Sequence, residues 1–249
     1  MTTLQDTVRP KARSSEWKAI VILILLVPVL WSPPLLFRYV LYQPFNIPSG
    51  SMMPTLMVGD YVFAAKYAYG YGRYSFPYAP SFISGQLSAA DPAYGDIVVF
   101  RSPKDNEIDY VKRVVGLPGD RIQMRQGQLF INDIPVARVA LKDVAAAAAA
   151  CGGEAGAKVK RWRETMPNGA SYVTYDCVDN GFADNTEVFT VPPGHFFALG
   201  DNRDNSADSR FKSSMGFIPM DNLIGKVTRI FWSLDSRGEL RPERLGKVR

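Results

Sequence analysis

Histidine and cysteine are scarce in this chain, and their scarcity narrows the chemistry that it can perform. His195 is the one histidine among 249 residues, and there are two cysteines. A zinc site or a cluster of metal ligands needs more of these residues, so we expect no metal and no cofactor. A Ser-His-Asp triad would have to use His195, which begins an alternating strand pattern and is more simply a partly exposed strand residue.

Concentrated positive charge is also lacking, although the formal net charge is +5. The basic residues are dispersed and form no recognisable nucleic-acid-binding motif, so we expect no nucleic-acid partner. One local excess of basic residues lies in the C-terminal tail. A solvated terminus is its simple explanation, and contact with anionic lipid headgroups is the alternative. The residues of this excess are Arg237, Arg241, Arg244, Lys247 and Arg249.

One long apolar run is present, over residues 19–37, and the charged residues Lys18 and Arg38 bracket it. A helix of this length spans roughly 28 Å, close to the ~30 Å hydrocarbon core of a bilayer. The run therefore predicts a single transmembrane helix. Three prolines within it weaken the helix and make its end harder to place.

A cleaved secretory signal is the alternative interpretation of this run, because basic residues precede it. No small-x-small cleavage site follows, so we expect an uncleaved anchor. The basic residues favour a cytoplasmic location for residues 1–18 by the positive-inside rule. The chain beyond Arg38 would then lie outside the cytoplasm.

Beyond the anchor, β-branched and aromatic runs closed by turn residues predict many short strands. This pattern is typical of an all-β sandwich or barrel-like domain, which we place at residues 39–140 and 188–249. Residues 141–187 predict an inserted subdomain or loop, whose alanine run is either a short helix or a flexible connection. The clearest strand segments are YVFAAKYA, DIVVF, DYVKRVVG, RIQMRQGQLFIND, SYVTYDCV, EVFTV, HFFAL and GKVTRIFW.

Both cysteines, Cys151 and Cys177, fall inside the insertion. An even count in an exported segment favours a disulfide, which would close a loop of about 25 residues and stabilise the fold by roughly 3 kcal/mol or somewhat more. Two free thiols are the alternative.

Residues 67–82 are rich in tyrosine and phenylalanine and carry hardly any charge. They predict either a loop packed by its own aromatic rings or a segment that dips into a membrane interface, where amphipathic rings are favoured.

Two serines, Ser49 and Ser51, lie in a turn within FNIPSGSMMPTL, residues 45–56. Either would need a base to act as a nucleophile, and histidine is not a good candidate. Lysine can serve if its surroundings favour the neutral amine.

The segment DYVKRVVG contains the candidate base. Strand alternation gives Lys112 the apolar neighbours Tyr110 and Val114 on its face. Arg113 is also flanked by apolar residues, but a guanidinium stays protonated and cannot abstract a proton. Taken alone, Lys112 is more simply a snorkelling or ion-paired side chain.

The segment GDNRDNSADSR, residues 200–210, is dense in hydrogen-bonding side chains. An EF-hand calcium loop is excluded because glycine is missing at its sixth position and glutamate at its twelfth. A loop of Asx turns is the simple explanation. The alternative explanation is that these side chains support a neighbouring functional site through hydrogen bonds.

Four motifs follow the anchor in order: PSGSMMPTL, GDIVVF, DYVKRVVGLPGD and GDNRDNSADSR. Together they closely resemble the motifs of bacterial type I signal peptidases, also called leader peptidases. The resemblance covers roughly residues 17–130 and 188–235, and the insertion carries little of it. It implies a mostly β, barrel-type catalytic domain of the signal-peptidase and LexA kind.

The resemblance implies a Ser/Lys dyad. Ser51, in Ser-Met-x-Pro, matches the nucleophile, and Lys112, in Lys-Arg-x-Val-Gly, matches the general base. Ser49 matches a serine whose hydroxyl forms the oxyanion hole together with the Ser51 backbone N–H.

Further site residues are implied in the same way. Ser206 matches a serine that orients the lysine, and Asp208 and Arg210 match an ion pair that supports the loop. Six residues are expected to line shallow apolar pockets for small substrate side chains: Phe45, Ile47, Met52, Leu56, Tyr110 and Val111.

The implied activity is that of a serine endopeptidase that removes signal peptides from exported preproteins, cleaving after small-x-small motifs through an acyl-enzyme. Its partners would be signal peptides and membrane lipid, and we expect a monomer. The implied location is the bacterial inner membrane, with the catalytic domain on the extracytoplasmic side. The best-known enterobacterial members have two membrane spans, whereas one is visible here.

Two other classes of protein share some of these features. A different Ser/Lys processing protease, such as a maturation peptidase of a secretion apparatus, would use the same chemistry. A LexA-like self-cleaving regulator belongs to the same class, but it should carry a DNA-binding domain in place of the anchor. A non-catalytic, membrane-tethered β domain that binds extended peptides should lack the nucleophile or the base.

Overall fold

The fold is taken from a computed structural model that describes residues 13–76, 79–83, 85–87, 90–145, 151 and 158–248. The chain divides into two units, Met1–Arg38 and Tyr39–Arg249. The alanine run at 145–150 is the segment that we interpreted as a helix or a connection. Ala145 ends a strand, and residues 146–150 lie outside the described residues.

The apolar run forms a helix. It comprises α1 (Arg13–Leu36), which contains all three prolines, and a π-helical turn (Phe37–Leu41) that follows directly. The stretch Trp17–Leu41 has a mean hydropathy of 2.5, and none of its described side chains is buried. Its length and composition are sufficient to cross a membrane.

Short antiparallel strands and single turns of 3-10 helix build the second unit. The turns are Gly50–Met52, Lys66–Ala68, Arg73–Ser75, Met220–Asn222 and Pro242–Arg244. The strands are β1 (Tyr42–Asn46), β2 (Asp60–Ala65), β3 (Ile97–Arg101), β4 (Asp109–Gly116), β5 (Arg121–Arg125), β6 (Gln128–Ile131), β7 (Ile134–Pro135), β8 (Ala137–Ala145), β9 (Lys158–Thr165), β10 (Ser171–Asp176), β11 (Phe189–Thr190), β12 (His195–Leu199), β13 (Ile218–Pro219), β14 (Leu223–Ser233) and β15 (Gly246–Lys247).

Three sheets result from the pairing of these strands. The largest has the order β1-β2-β14-β3-β4-β12-β13, and β15 adds to β14. The two smaller sheets have the orders β10-β9-β8 and β11-β5-β6-β7. The prediction of a mostly β fold after one apolar helix is confirmed.

Alternation along β3 directs neighbouring residues into two different hydrophobic cores. Val98 packs with Val114 in one cluster, whereas Val99 packs with Met52 and Leu56 in another. All five side chains are buried, and each contributes on the order of 1.5–3 kcal/mol by leaving water. The segment that follows Ser51 is therefore anchored in the core.

The insertion contains an ordered sheet. Its first strand, β8, begins at Ala137, earlier than the predicted start at residue 141, and pairs with β9, which pairs with β10. Cys151 and Cys177 are joined by a disulfide, with their Cα atoms 5.7 Å apart.

The described part of the aromatic segment packs against the rest of its unit. Tyr69 and Tyr74 are buried, and their hydroxyls donate to the side chains of Asp96 and Asn106. Phe82, in contrast, is 87% exposed. Contact of this segment with a membrane interface stays a prediction.

Candidate active site

Ser51 lies in the 3-10 turn Gly50–Met52, which follows β1. Buried Met52 anchors the turn in the core on one side. On the other side, the Asn202 backbone N–H donates to the Ser51 carbonyl oxygen and the Asn202 side-chain amide donates to the Gly50 carbonyl oxygen, both at 3.1 Å. The 200–210 segment thus holds the backbone that carries the Ser51 hydroxyl.

Gly200 permits the close approach of these two segments. A Cβ atom at this position would lie 2.5 Å from the Ser51 carbonyl oxygen and 2.2 Å from Ser206 Oγ. Both distances are far inside van der Waals contact, so a larger residue would push the 200–210 segment away from Ser51.

Lys112 meets Ser51 from β4, although the two are 61 residues apart in sequence. Its Nζ atom lies 2.8 Å from Ser51 Oγ and donates to the Val111 carbonyl oxygen at 3.0 Å. The Lys112 residue is 3% exposed. The structure therefore places the predicted base within hydrogen-bond distance of the predicted nucleophile.

Burial changes the acidity of this amine. It lowers the pKa of Lys112 to about 8, because the charged form loses its hydration, although the nearby carboxylates of Asp208 and Asp201 act in the opposite direction. At that pKa a substantial fraction of Lys112 is neutral near pH 8 and able to accept a proton.

Ser49 stands beside this pair. Its Oγ atom is 3.3 Å from Ser51 Oγ, and its side chain is exposed to the cleft in front of the serines. A hydroxyl at this place can turn toward an oxygen that develops negative charge close to Ser51.

The predicted supporting residues lie behind the pair. Asp208 and Arg210 form a buried ion pair with an N–O distance of 2.9 Å, and Asp208 also accepts from the Gly200 backbone N–H at 3.1 Å. Burial alone would raise the pKa of Asp208, but Arg210 and this N–H hold it below its ordinary value. Ser206 is buried, and its Oγ has no hydrogen-bond partner among the described residues.

A second buried ion pair, which the motifs did not point to, adjoins the site. Arg113 Nη2 lies 2.7 Å from Asp201 Oδ2, and the guanidinium carbon is 3.9 Å from the centre of the Tyr172 ring. The sequence does contain an indication of this ion pair, because the guanidinium of an arginine in a buried strand stays charged and needs an acidic partner.

The insertion contributes to the same network. Glu164, on β9, accepts from Arg203 Nη1 at 2.9 Å and from the Tyr172 hydroxyl at 3.0 Å, and all three side chains are buried. Nothing in the local sequence around Glu164 indicates this role. The insertion therefore braces the 200–210 segment from behind.

An apolar cleft of about 420 Å³ opens in front of Ser49, Ser51 and Lys112. Five of the six predicted pocket residues line it, whereas Leu56 is fully buried in the core beneath. The five are Phe45, Ile47, Met52, Tyr110 and Val111. Residues that the sequence did not indicate also line it, namely Asn46, Pro48, Val99, Ile108 and Asp109.

Comparisons of this chain with known proteins find a matching family model, related proteins and a solved structure. A family model described as signal peptidase, peptidase S26, matches residues 14–232. A signal peptidase I of Rickettsia conorii is 39% identical over 232 residues, which are 90% of this chain and 81% of that protein. One of Rickettsia typhi is 42% identical over 208 residues, 80% of this chain and 75% of that protein. A crystal structure of a signal peptidase I from Enterococcus faecalis is 27% identical, with a TM-score of 0.32, and the match covers 57% of this chain and 100% of that one.

The family model covers most of the chain, and the Rickettsia proteins match it along most of their own length. This chain therefore belongs to the signal peptidase family, peptidase S26, and is a serine endopeptidase of the signal peptidase I type.

Proposed function

We propose that this chain is a membrane-anchored endopeptidase that removes N-terminal signal peptides from exported preproteins by a Ser51/Lys112 dyad, cutting after small-x-small motifs. The observation that carries the proposal is the 2.8 Å contact between Lys112 Nζ and Ser51 Oγ at the base of an apolar cleft. The membership of the family supports the same activity.

In the first step, neutral Lys112 accepts the hydroxyl proton of Ser51 while Oγ bonds to the carbonyl carbon of the scissile peptide. The carbonyl oxygen becomes an anion and receives hydrogen bonds from the Ser49 hydroxyl and the Ser51 backbone N–H. The Lys112 ammonium then gives its proton to the leaving nitrogen, the C–N bond breaks and an acyl-enzyme remains.

In the second step, water attacks the ester carbon of the acyl-enzyme and Lys112 accepts a proton from that water. The bond to Ser51 Oγ breaks, and the same proton returns to Oγ. Asp208 and Arg210 support the dyad from behind. The Ser206 hydroxyl is buried without a hydrogen-bond partner among the described residues, and we assign to it the orientation of the lysine amine during the reaction.

Unpaired strand edges suit an extended substrate. β4 pairs with β12 only through residues 113–116, so among the described strands its residues 109–112 have a free edge. β1 is likewise at the end of its sheet, and residues of both strands line the cleft. A peptide added here would direct alternate side chains, at the first and third positions before the cut, into the apolar cleft.

The apolar helix supplies the anchor in this proposal. We assign residues 1–18 to the cytoplasm, 19–37 to the inner membrane, and 39–140 with 188–249 to a catalytic domain on the extracytoplasmic side. The length and hydropathy of Trp17–Leu41 support the span, and the basic residues before it support the orientation.

The proposal is tested by incubating the purified full-length chain in detergent micelles with a preprotein and measuring the masses of both products. We expect one cut, directly after a small-x-small motif. The Ser51→Ala variant, purified in parallel, controls for contaminating proteases and should give no product. A cut at another kind of site, or equal cleavage by the variant, would contradict the proposal.

The pH dependence of cleavage tests the role of Lys112 separately. The amine acts as a base only when neutral, so kcat/KM should rise with pH through an apparent pKa of about 8, falling about tenfold per pH unit below it. Ser49→Ala keeps the base and should show the same midpoint at a lower rate. A rate that still climbs steeply between about pH 10 and 11, near the ordinary lysine pKa, would show that Lys112 is not the base.

A further inference from the structure

A second cleft lies in the unit Tyr39–Arg249, and its walls are strongly basic. It has a volume of about 910 Å³ and shares no lining residue with the apolar cleft. Among the described residues that line it, Glu243 is the one acidic side chain. Its cationic residues, which define the basic cleft, are Arg161, Arg163, Arg229, Arg244 and Lys247.

The strand pairing brings like charges together in the basic cleft. Arg229 on β14 and Lys247 on β15 are directly opposite each other in the antiparallel register. Arg161 and Arg163 are two residues apart on β9 and both line the cleft. Like charges directly opposite each other, as Arg229 and Lys247 are, destabilise a sheet, and a bound anion would offset that repulsion.

Most of this charge is not neutralised within the part of the chain that the structure describes. Arg244 pairs with Asp60 at 2.6 Å, and the other four cations form no ion pair with a described residue. Arg161 Nε is buried and has no hydrogen-bond partner among the described residues. Burial raises the pKa of the Tyr175 hydroxyl, and Arg161 and Arg244, from different elements, both act against that rise. The positive charges of different elements thus converge on one cleft.

The donors suit a phosphate group. A guanidinium presents paired N–H groups that match phosphate oxygens, and the hydroxyl-bearing residue Ser171 also lines the basic cleft. The volume exceeds that of a bare phosphate ion and leaves room for an esterified glycerol.

We propose that the basic cleft binds a phosphate-bearing group, and that its source is the headgroup of an anionic phospholipid. A chain with its own membrane helix meets such headgroups at high local concentration, and cationic side chains are drawn to anionic lipid surfaces. The lipid source rests on the anchor proposed above, whereas the phosphate site rests on the cleft alone. Two residues of the C-terminal excess, Arg244 and Lys247, then belong to a binding site rather than to a solvated terminus.

The test uses the full-length chain in detergent micelles, with binding of phosphatidylglycerol and phosphatidylcholine measured by native mass spectrometry. We expect tighter binding of phosphatidylglycerol, and an affinity loss of about tenfold or more in Arg161→Gln/Arg229→Gln. The control Arg121→Gln/Arg237→Gln removes the same charge at exposed positions outside the cleft and should keep the affinity within about twofold. Equal losses in both double variants would show general attraction to anionic lipid and overturn the site.

Two further arms identify the source of the ligand. If glycerol 1-phosphate binds to the cleft and phosphatidylglycerol does not, the phosphate site is supported and the lipid source is wrong. Binding of an acidic peptide in place of both phosphate probes would overturn the proposal. The variant Arg161→Gln/Arg229→Gln should still cleave a soluble peptide, because neither residue lines the apolar cleft. Retained cleavage with lost lipid binding would show that the lipid site is separate from the Ser51/Lys112 dyad.

Discussion

Replacing Lys112 by methionine is expected to lower kcat/KM by a factor of about 10² to 10⁴ while the fold is retained. Methionine keeps most of the buried stem but lacks the amine that lies 2.8 Å from Ser51 Oγ. Lys112→Arg should be equally inactive, because a guanidinium cannot become neutral. The measurement is steady-state kinetics on a peptide with alanine at the first and third positions before the cut.

Lys66 provides a matched control for this experiment. It is also a buried lysine, 2% exposed, but its Nζ donates to the carbonyl oxygens of Ser75 and Tyr39, away from the apolar cleft. Lys66→Met should lower the thermal unfolding midpoint and leave the activity per folded molecule nearly unchanged. More than about a tenth of wild-type activity in Lys112→Met or Lys112→Arg would rule out Lys112 as the base.

Ser49→Ala is expected to lower kcat by roughly 10² to 10³, about 2.7 to 4 kcal/mol, with little change in KM. The variant keeps nucleophile and base and removes one donor to an oxygen that becomes anionic only in the tetrahedral intermediate. Ser51→Ala removes the attacking atom, so its activity should be near background. Steady-state kinetics of both variants on one peptide compares the two roles.

Ser49→Thr completes this series. The hydroxyl donor survives, and the exposed position beside Pro48 leaves space for the added methyl group, so much more activity should remain than in Ser49→Ala. If Ser51→Ala stays active while Ser49→Ala is inactive, the two serines have the opposite roles. A rise in KM with kcat unchanged in Ser49→Ala would assign that hydroxyl to substrate binding instead.

The neighbours Lys112 and Arg113 show how far local pattern determines a site. Strand alternation and side-chain chemistry were sufficient to prefer the lysine as base, because a guanidinium does not lose its proton. They did not identify Asp201 as the partner of Arg113, or Tyr172 as the ring beneath it. These residues come from distant parts of the chain and meet Arg113 only when the strands pair.

The sequence by itself determined the mostly β composition, the candidate membrane helix, and which residue types are able to act as nucleophile and base. Hydrophobic periodicity, turn residues and the four ordered motifs are local properties that can be recognised in the chain. Only the tertiary structure decided that Lys112 lies 2.8 Å from Ser51, that burial lowers the pKa of Lys112 to about 8, and that the insertion supplies Glu164 to the network behind the site. The physical reason is that strand pairing and desolvation depend on segments that are far apart in sequence. The alternation of side chains along a strand determines the face of the sheet on which a residue lies, but it does not determine which residue of another strand contacts it there.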